Sequence, residues 1–145
     1  MHLLERTGVG SGTRYLDIAC GSGLALQLAS ERGATATGLD ASKRLGAIAA
    51  ARSPGADVRN GDMFALSFAD ASFDVATSFR GIWGNCLKAL QEARRVVRSG
   101  GRVGLSFWGH QRTMQAYPLF AVLGQTTQAE RGNTGDGTYR RPWCR

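Results

Sequence analysis

Long apolar runs are missing from this 145-residue chain; no stretch approaches the roughly 20 consecutive apolar residues that a membrane span needs. The start, Met1-His2-Leu3-Leu4-Glu5-Arg6, lacks the apolar run of a secretory leader, so a cytoplasmic protein is expected. Proline is scarce, with three residues, too few for a low-complexity chain. Cysteine is limited to Cys20, Cys86 and Cys144, an odd number set far apart. That spacing excludes a C-x-x-C metal pair and offers no disulfide framework, which leaves reduced thiols as the expectation. Acidic residues are outnumbered, 11 against 18 basic, for a net charge of +7. The basic residues are almost all arginine and are spread along the chain without aromatic interleaving. Basicity alone therefore assigns no polyanionic partner, and nucleic acid is disfavoured.

Glycine is what the chain has in excess, with 20 residues against a usual share of about 7%. It follows no collagen period, so the glycines should mark tight turns. From Tyr15 to Trp108, short β-type runs alternate with helical patterns, the signature of a parallel sheet covered by helices. Arg14 to Ala19 reads as a first strand running into Cys20-Gly21-Ser22-Gly23. Leu24, Ala25, Leu28 and Ala29 then recur at helical spacing up to Gly33. A second strand, Ala34 to Leu39, ends at Asp40. Ser42 caps a helix whose Leu45, Ile48 and Ala49 are expected to face inward before Ser53-Pro54-Gly55 stops it. Asp57 to Arg59 is a short third strand, followed by Asn60-Gly61-Asp62 and a loop rich in apolar residues. Phe73 to Ser78 is the fourth strand. A helix from Cys86 to Arg98, with Leu87, Leu90, Ala93 and Val97 on one stripe and Gly100 as its stop, precedes a fifth strand from Gly101 to Trp108. A last helix is expected around Pro118 to Leu123. The reading is thus one core over residues 1–124 and an irregular, disordered tail over 125–145.

The first strand-to-helix turn carries the sharpest signal. Glycines at the carboxyl end of strand one let a ligand approach the backbone beside the positive end of the next helix. Gly21-Ser22-Gly23 alone is a weak signal, since glycines also serve merely to turn tightly into a packed helix. Asp40, 17 residues after Gly23, adds a carboxylate that can accept hydrogen bonds from both hydroxyls of a ribose. Its ordinary alternative is helix capping, for which Ser42 is available. Asp62 follows strand three, and a carboxylate beside Met63 suits an adenine amino group; a plain surface turn is the alternative. Three such positions at the ends of three successive strands converge on one cleft.

Leu16-Asp17-Ile18-Ala19-Cys20-Gly21-Ser22-Gly23, Gly38-Leu39-Asp40-Ala41-Ser42, Asn60-Gly61-Asp62, Phe73-Asp74-Val75 and Arg98-Ser99-Gly100-Gly101-Arg102-Val103 together resemble the successive motifs of class I S-adenosylmethionine-dependent methyltransferases. Within that family the ubiquinone/menaquinone-biosynthesis type is most similar. The resemblance covers Tyr15 to Trp108. It implies an α/β fold, a Rossmann-like doubly wound parallel sheet of about five strands in the order 3-2-1-4-5, without the family's usual C-terminal hairpin strands. It also implies S-adenosylmethionine as cofactor, with Asp17, Ala19, Gly21 and Gly23 along its methionine part, Asp40 at the ribose, Ala41, Asp62 and Met63 at the adenine, and Ser78 and Phe79 beside the sulfonium. Ala19 stands where many members have glycine. The chain reads as trimmed at both ends relative to the family, which leaves the edge of strand five exposed or covered by a second copy or a partner chain.

Methyl transfer from a sulfonium is an in-line displacement that releases a neutral thioether, so the protein's task is alignment in a dry cleft. No catalytic residue is assigned: His110 and Asp74 are the available bases, and both have ordinary structural readings. Ser78-Phe79-Arg80-Gly81 lacks the Asn/Asp-Pro-Pro-Tyr loop of amino-methylating nucleic-acid enzymes, which favours a small-molecule methyl acceptor. Phe79, Trp83 and Trp108 are candidates to wall an apolar pocket, and Arg80 is a candidate partner for an acidic substrate. One alternative is a degenerate methyltransferase fold that acts as a cofactor-binding or scaffold protein without turnover. A nicotinamide-dependent oxidoreductase is weaker, because Leu26 occupies the third glycine position of G-x-G-x-x-G.

Overall fold

Both faces of the first strand are apolar or plugged by a single polar side chain, and such a strand is stable only in the middle of a helix-covered sheet. The computed structural model, which describes residues 2–82 and 86–106, places it there. The elements are α1 (His2–Thr7), β1 (Arg14–Ile18), α2 (Leu24–Glu31), β2 (Thr35–Asp40), α3 (Lys43–Arg52), β3 (Asp57–Asn60), β4 (Phe73–Phe79), α4 (Leu87–Val96) and β5 (Val97–Ser106). The sheet order is β3-β2-β1-β4-β5, every pairing is parallel, and this is the expected doubly wound topology. The last four residues of β1 and the last five of β2 are buried, whereas edge strand β3 is largely exposed. All described residues fall in one compact unit, 1–107.

The elements follow from local chemistry. Ser42 is the N-cap of α3, its hydroxyl accepting from the Leu45 N–H at 3.3 Å. The apolar loop after β3 is fastened by Arg95 on α4, whose guanidinium donates to the carbonyls of Leu66 and Phe68 and to Asp70 and Glu92. Glu92 in turn accepts the Leu66 N–H at 2.8 Å. Phe68 meets Phe73 edge-on at 5.1 Å and lies under the Arg59 guanidinium at 5.0 Å.

Several expected details differ. On α3, Leu45 and Ile48 are exposed and only Ala49 is buried. The helix approaches the glycine turn so closely, with Ala49 against Gly23, that only a small residue fits the contact, and the larger side chains are rolled outward. The buried stripe of α4 runs through Cys86, Ala89, Ala93 and Val96, with Leu87 exposed. The helix ends at Val96 rather than Arg98, because Val97 already pairs with Phe73 as the first residue of β5. Gly100, with φ of 74°, serves an irregularity in β5 instead of ending the helix: the register jumps from Phe73↔Val97 to Val75↔Arg102. A short helix, α1, precedes β1 and seats Leu4 in the core; six residues are too few to give a readable period. Cys20 is a buried free thiol, and Cys144 lies outside the described residues. Trp83, Trp108, His110, the helix expected near Pro118, the boundary at 124 and the 125–145 tail lie outside the described residues. No helix among those described is long and apolar enough to cross a membrane.

Candidate functional site

Where β1 ends, the chain must turn sharply into α2, and it does so through left-handed backbone at Ala19 (φ 59°), Gly21 (φ 55°) and Gly23 (φ 81°). A non-glycine residue in that region is strained by about 1–2 kcal/mol, so Ala19 holds strain at the mouth of the turn. The two glycines differ. A Cβ on Gly23 would lie 2.8 Å from the Cα and Cβ of Ala49, so this glycine serves the packing of α2 on α3. A Cβ on Gly21 would meet nothing within 4 Å; the space in front of it is open. Asp40 at the tip of β2 pins the turn, accepting the Gly21 N–H on Oδ2 and the Ser42 N–H on Oδ1, each at 2.8 Å. Arg52 at the end of α3 pins it from the other side, donating to the Ser22 carbonyl at 2.8 Å. Gly23 is the N-cap of α2 and supplies no side-chain cap, so the first-turn N–H groups of that helix are available to an anion.

A cleft of about 410 Å³ opens over this turn, lined by Asp17, Ala19, Gly21 and Phe79 among the expected residues, and by Leu4, Leu24, Leu28 and Arg80. Asp17 is 2% exposed and accepts from Thr77 at 3.0 Å. Burial, opposed by the Thr77 hydrogen bond and reinforced by the nearby Asp40 charge, pushes its carboxyl up to about 7. Burial likewise pushes the Cys20 thiol up to about 12. Asp40, Ala41, Asp62 and Met63 lie along the tips of β2 and β3, outside the lining of this cleft. Those tips are tied together: Asn60 donates through Nδ2 to the carbonyls of Asp40 and Ala41, both at 2.9 Å, and Gly61 N–H donates to Asp40. Asp62 is exposed and accepts the Phe64 N–H at 2.9 Å. Ser78 is fully buried and its hydroxyl accepts from Ile82 N–H at 3.0 Å, so from β4 it is Phe79 that faces the cleft. Asp74 is at the opposite end of the sheet, paired with Arg14 at 2.9 Å and Arg98 at 2.7 Å, which removes it as a base. No group of metal-ligating side chains occurs among the described residues.

The residues that carry the glycine turn and the acidic tip of β2 lie within a match to a known family model. Residues 16–105 fit the methyltransferase domain. The chain belongs to the methyltransferase domain family. It is 33% identical over 110 residues to demethylmenaquinone methyltransferase of Renibacterium salmoninarum, covering 74% of this chain and 46% of that protein. It is 39% identical over 103 residues to the malonyl-[acyl-carrier protein] O-methyltransferase of Erwinia pyrifoliae, covering 70% and 39%. The structure resembles that of an S-adenosylmethionine-dependent methyltransferase from Mesorhizobium loti with a TM-score of 0.65 and 27% identity, over 72% of this chain and 50% of that one. The chain thus spans less than half the length of these curated relatives. The family's cofactor is S-adenosylmethionine, and the residues present fit it: an open approach at Gly21, uncapped N–H groups for a carboxylate, and the Asp17 carboxyl for an ammonium.

Sequence reasoning missed Leu4, Leu24, Leu28 and Thr77. Leu24 and Leu28 are four apart on α2, and their helical spacing does not show that Leu24 stands 60% exposed beside the cleft. The position of Thr77 opposite Asp17 follows from the β1–β4 register, which the sequence does not contain.

Proposed function

We propose that this domain binds S-adenosylmethionine in the cleft over the β1–α2 turn and transfers its methyl group to a small-molecule acceptor. The observation that carries the reading is the conjunction at Gly21. Its side-chain direction is empty, its N–H is held by Asp40, and the buried Asp17 carboxyl lines the same cleft. Asp17 would take the ammonium of the methionine part, with Ala19, Gly21 and Gly23 shaping the backbone around it. Asp40 has accepted one N–H on each oxygen, and a carboxylate offers about four lone-pair sites, so each oxygen retains room for a ribose hydroxyl. Ala41, Asp62 and Met63 are proposed for the adenine, tied to Asp40 through Asn60. Phe79 would flank the sulfonium, and Ser78 would act beneath it by holding the turn at Ile82.

When bound, the cofactor supplies an electrophilic methyl and a neutral leaving group, so what this chain must do is orient and exclude water. Leu4, Leu24, Leu28 and Phe79 provide the apolar side of that cleft. The acceptor is proposed only as a small molecule, since the two relatives named above act on chemically different ones. The reading extends to a cytoplasmic setting. It includes a second copy or a partner chain along the outer edge of β5, which among the described residues pairs with β4 alone.

S-Adenosylhomocysteine should raise the melting temperature of the chain, NADH should not, and Asp40→Ala should lose the ligand-induced shift. Asp40→Ala also removes two backbone hydrogen bonds, so the readout is the shift within each variant and not its absolute melting point. No shift in the parent at saturating ligand would refute cofactor binding. A shift without turnover on any small-molecule acceptor would favour the scaffold alternative.

A further inference from the structure

Tyr15, Asp17 and Thr77 are three polar side chains buried together in the middle of the sheet, and none is more than 2% exposed. Residues two apart on a strand share a face, which puts Tyr15 and Asp17 together. The parallel register sets Thr77 of β4 directly opposite Asp17. The Thr77 hydroxyl donates to Asp17 Oδ1 at 3.0 Å and is also hydrogen-bonded to the Tyr15 hydroxyl. Phenylalanine and valine would fill the same space without the cost of burying hydroxyl groups, so packing alone does not account for this choice of residues.

We propose that Tyr15 and Thr77 form a positioning chain that holds the Asp17 carboxyl as a fixed hydrogen-bond acceptor at the wall of the cleft; the role of Asp17 toward an ammonium rests on the cofactor reading above. Thr77 has one proton. Given to Asp17, it leaves Thr77 an acceptor, and the buried Tyr15 O–H, which requires an acceptor, supplies the matching donor. With the carboxyl ionised, the chain runs from Tyr15 to Thr77 to Asp17 and Oδ1 is its acceptor. An arriving ammonium would replace the proton of the neutral carboxyl, so ligand binding and Asp17 ionisation are coupled. The titratable groups that act on Asp17 or on its neighbour are Tyr15 on its own strand, Cys20 in the following turn and Asp40 on β2, and Arg80 beyond β4 lines the same cleft. Asp40 opposes ionisation of Asp17, and the Thr77 bond favours it.

The test follows the Asp17 carboxyl carbon by NMR in the ligand-free chain between about pH 4 and pH 9. Thr77→Val should raise the Asp17 midpoint by about one unit, a tenfold gain in proton affinity. Tyr15→Phe should raise it less, and Thr77→Ser should restore it to within about 0.3 unit of the parent. S-Adenosylhomocysteine affinity near neutral pH should fall about fivefold in Thr77→Val, recover as pH rises, and stay near the parent's in Thr77→Ser. A midpoint that moves by less than about 0.3 unit in both Thr77→Val and Tyr15→Phe would overturn the positioning chain. If Thr77→Val does not fold, the isosteric Tyr15→Phe decides. If the parent fails to bind S-adenosylhomocysteine while the midpoints shift as stated, the cofactor reading falls and the positioning chain stands.

Discussion

Replacing Asp17 by asparagine should stabilise the ligand-free domain while disabling it. The folded protein raises the Asp17 carboxyl from its ordinary 3.8 to about 7, chiefly by burial. Because the side chain is almost wholly buried, solvent screening gives little relief. At about 1.4 kcal/mol per unit, the ionised group costs the fold up to about 4 kcal/mol. Between the two values the folded chain binds more protons than the unfolded one. This contribution therefore makes stability fall as pH rises from about 4 to about 7, and it is constant above that window. Asparagine carries no charge and retains an oxygen to accept from Thr77. Asp17→Asn should thus exceed the parent by about 1–4 kcal/mol near pH 8, several degrees in melting temperature, with the advantage vanishing near pH 4. Scanning calorimetry of both proteins across that range isolates the difference from every other titrating group. The same variant should lose the S-adenosylhomocysteine shift. A parent more stable than the variant near pH 8, or a gap independent of pH, would refute the idea that burial strains this carboxylate.

The glycines of the turn should separate by their surroundings: Gly21→Ala should fold with a loss of about 1 kcal/mol from its left-handed backbone yet block the ligand shift. Gly23→Ala, whose Cβ would strike Ala49 at 2.8 Å, should cost about 3 kcal/mol or more in a urea titration. Asp74→Asn should cost about 1–3 kcal/mol, since it weakens bonds to the Arg14 N–H at 2.8 Å and to two guanidinium groups, while leaving ligand binding unchanged at the far end of the sheet. Those arginines hold the Asp74 carboxyl below the usual carboxylate range. Its contribution is therefore present above about pH 4 and lost as acid reaches the depressed value, which acid titration of parent and variant will show. Cys20, with its thiol pushed up to about 12, should alkylate far more slowly with iodoacetamide near neutral pH than a free thiol, as followed by mass spectrometry.

The topology was legible because each strand end carries its own signal. Gly21-Ser22-Gly23 announces a turn, Asp40 with Ser42 announces a strand end and a cap, and Ser42 caps as read. Helix faces were less legible. On α4 the sequence offers two overlapping stripes, and the exposed Leu87 lost to Cys86 and Ala89 because small side chains allow the helix to lie closer to the sheet. On α3 the choice was made by a contact between Ala49 and Gly23, residues 26 apart in the chain, which periodicity within one helix does not encode. The candidate site divides in the same way. Residues placed by the backbone turn, Asp17, Ala19 and Gly21, reach the cleft together. Ser78, expected there by resemblance, has its hydroxyl directed to Ile82, a local bond with no signature in sequence.

The two ends of the sheet differ in how their charged side chains are met, and the difference supports the proposed site without reference to any relative. At the amino end, the charged side chain nearest the sheet, Asp74, is matched by Arg14 and Arg98, and Arg102 reaches the Thr7 carbonyl. Each of these charges has a hydrogen-bond partner there. At the carboxyl end, Ala19 and Arg80 hold left-handed backbone that costs each of them free energy, Asp17 is buried against its preference for water, Leu24 is exposed against its own, and α2 begins without a side-chain cap. Selection for stability alone would remove each of these features by a single substitution. Left-handed Ala71 and exposed Leu87 lie away from the cleft, so it is the combination with the buried Asp17 and the uncapped helix start that supports the proposed site. An anion at the start of α2, a cation at Asp17 and apolar surface over Leu24 would satisfy them together, and S-adenosylmethionine with its acceptor presents all three.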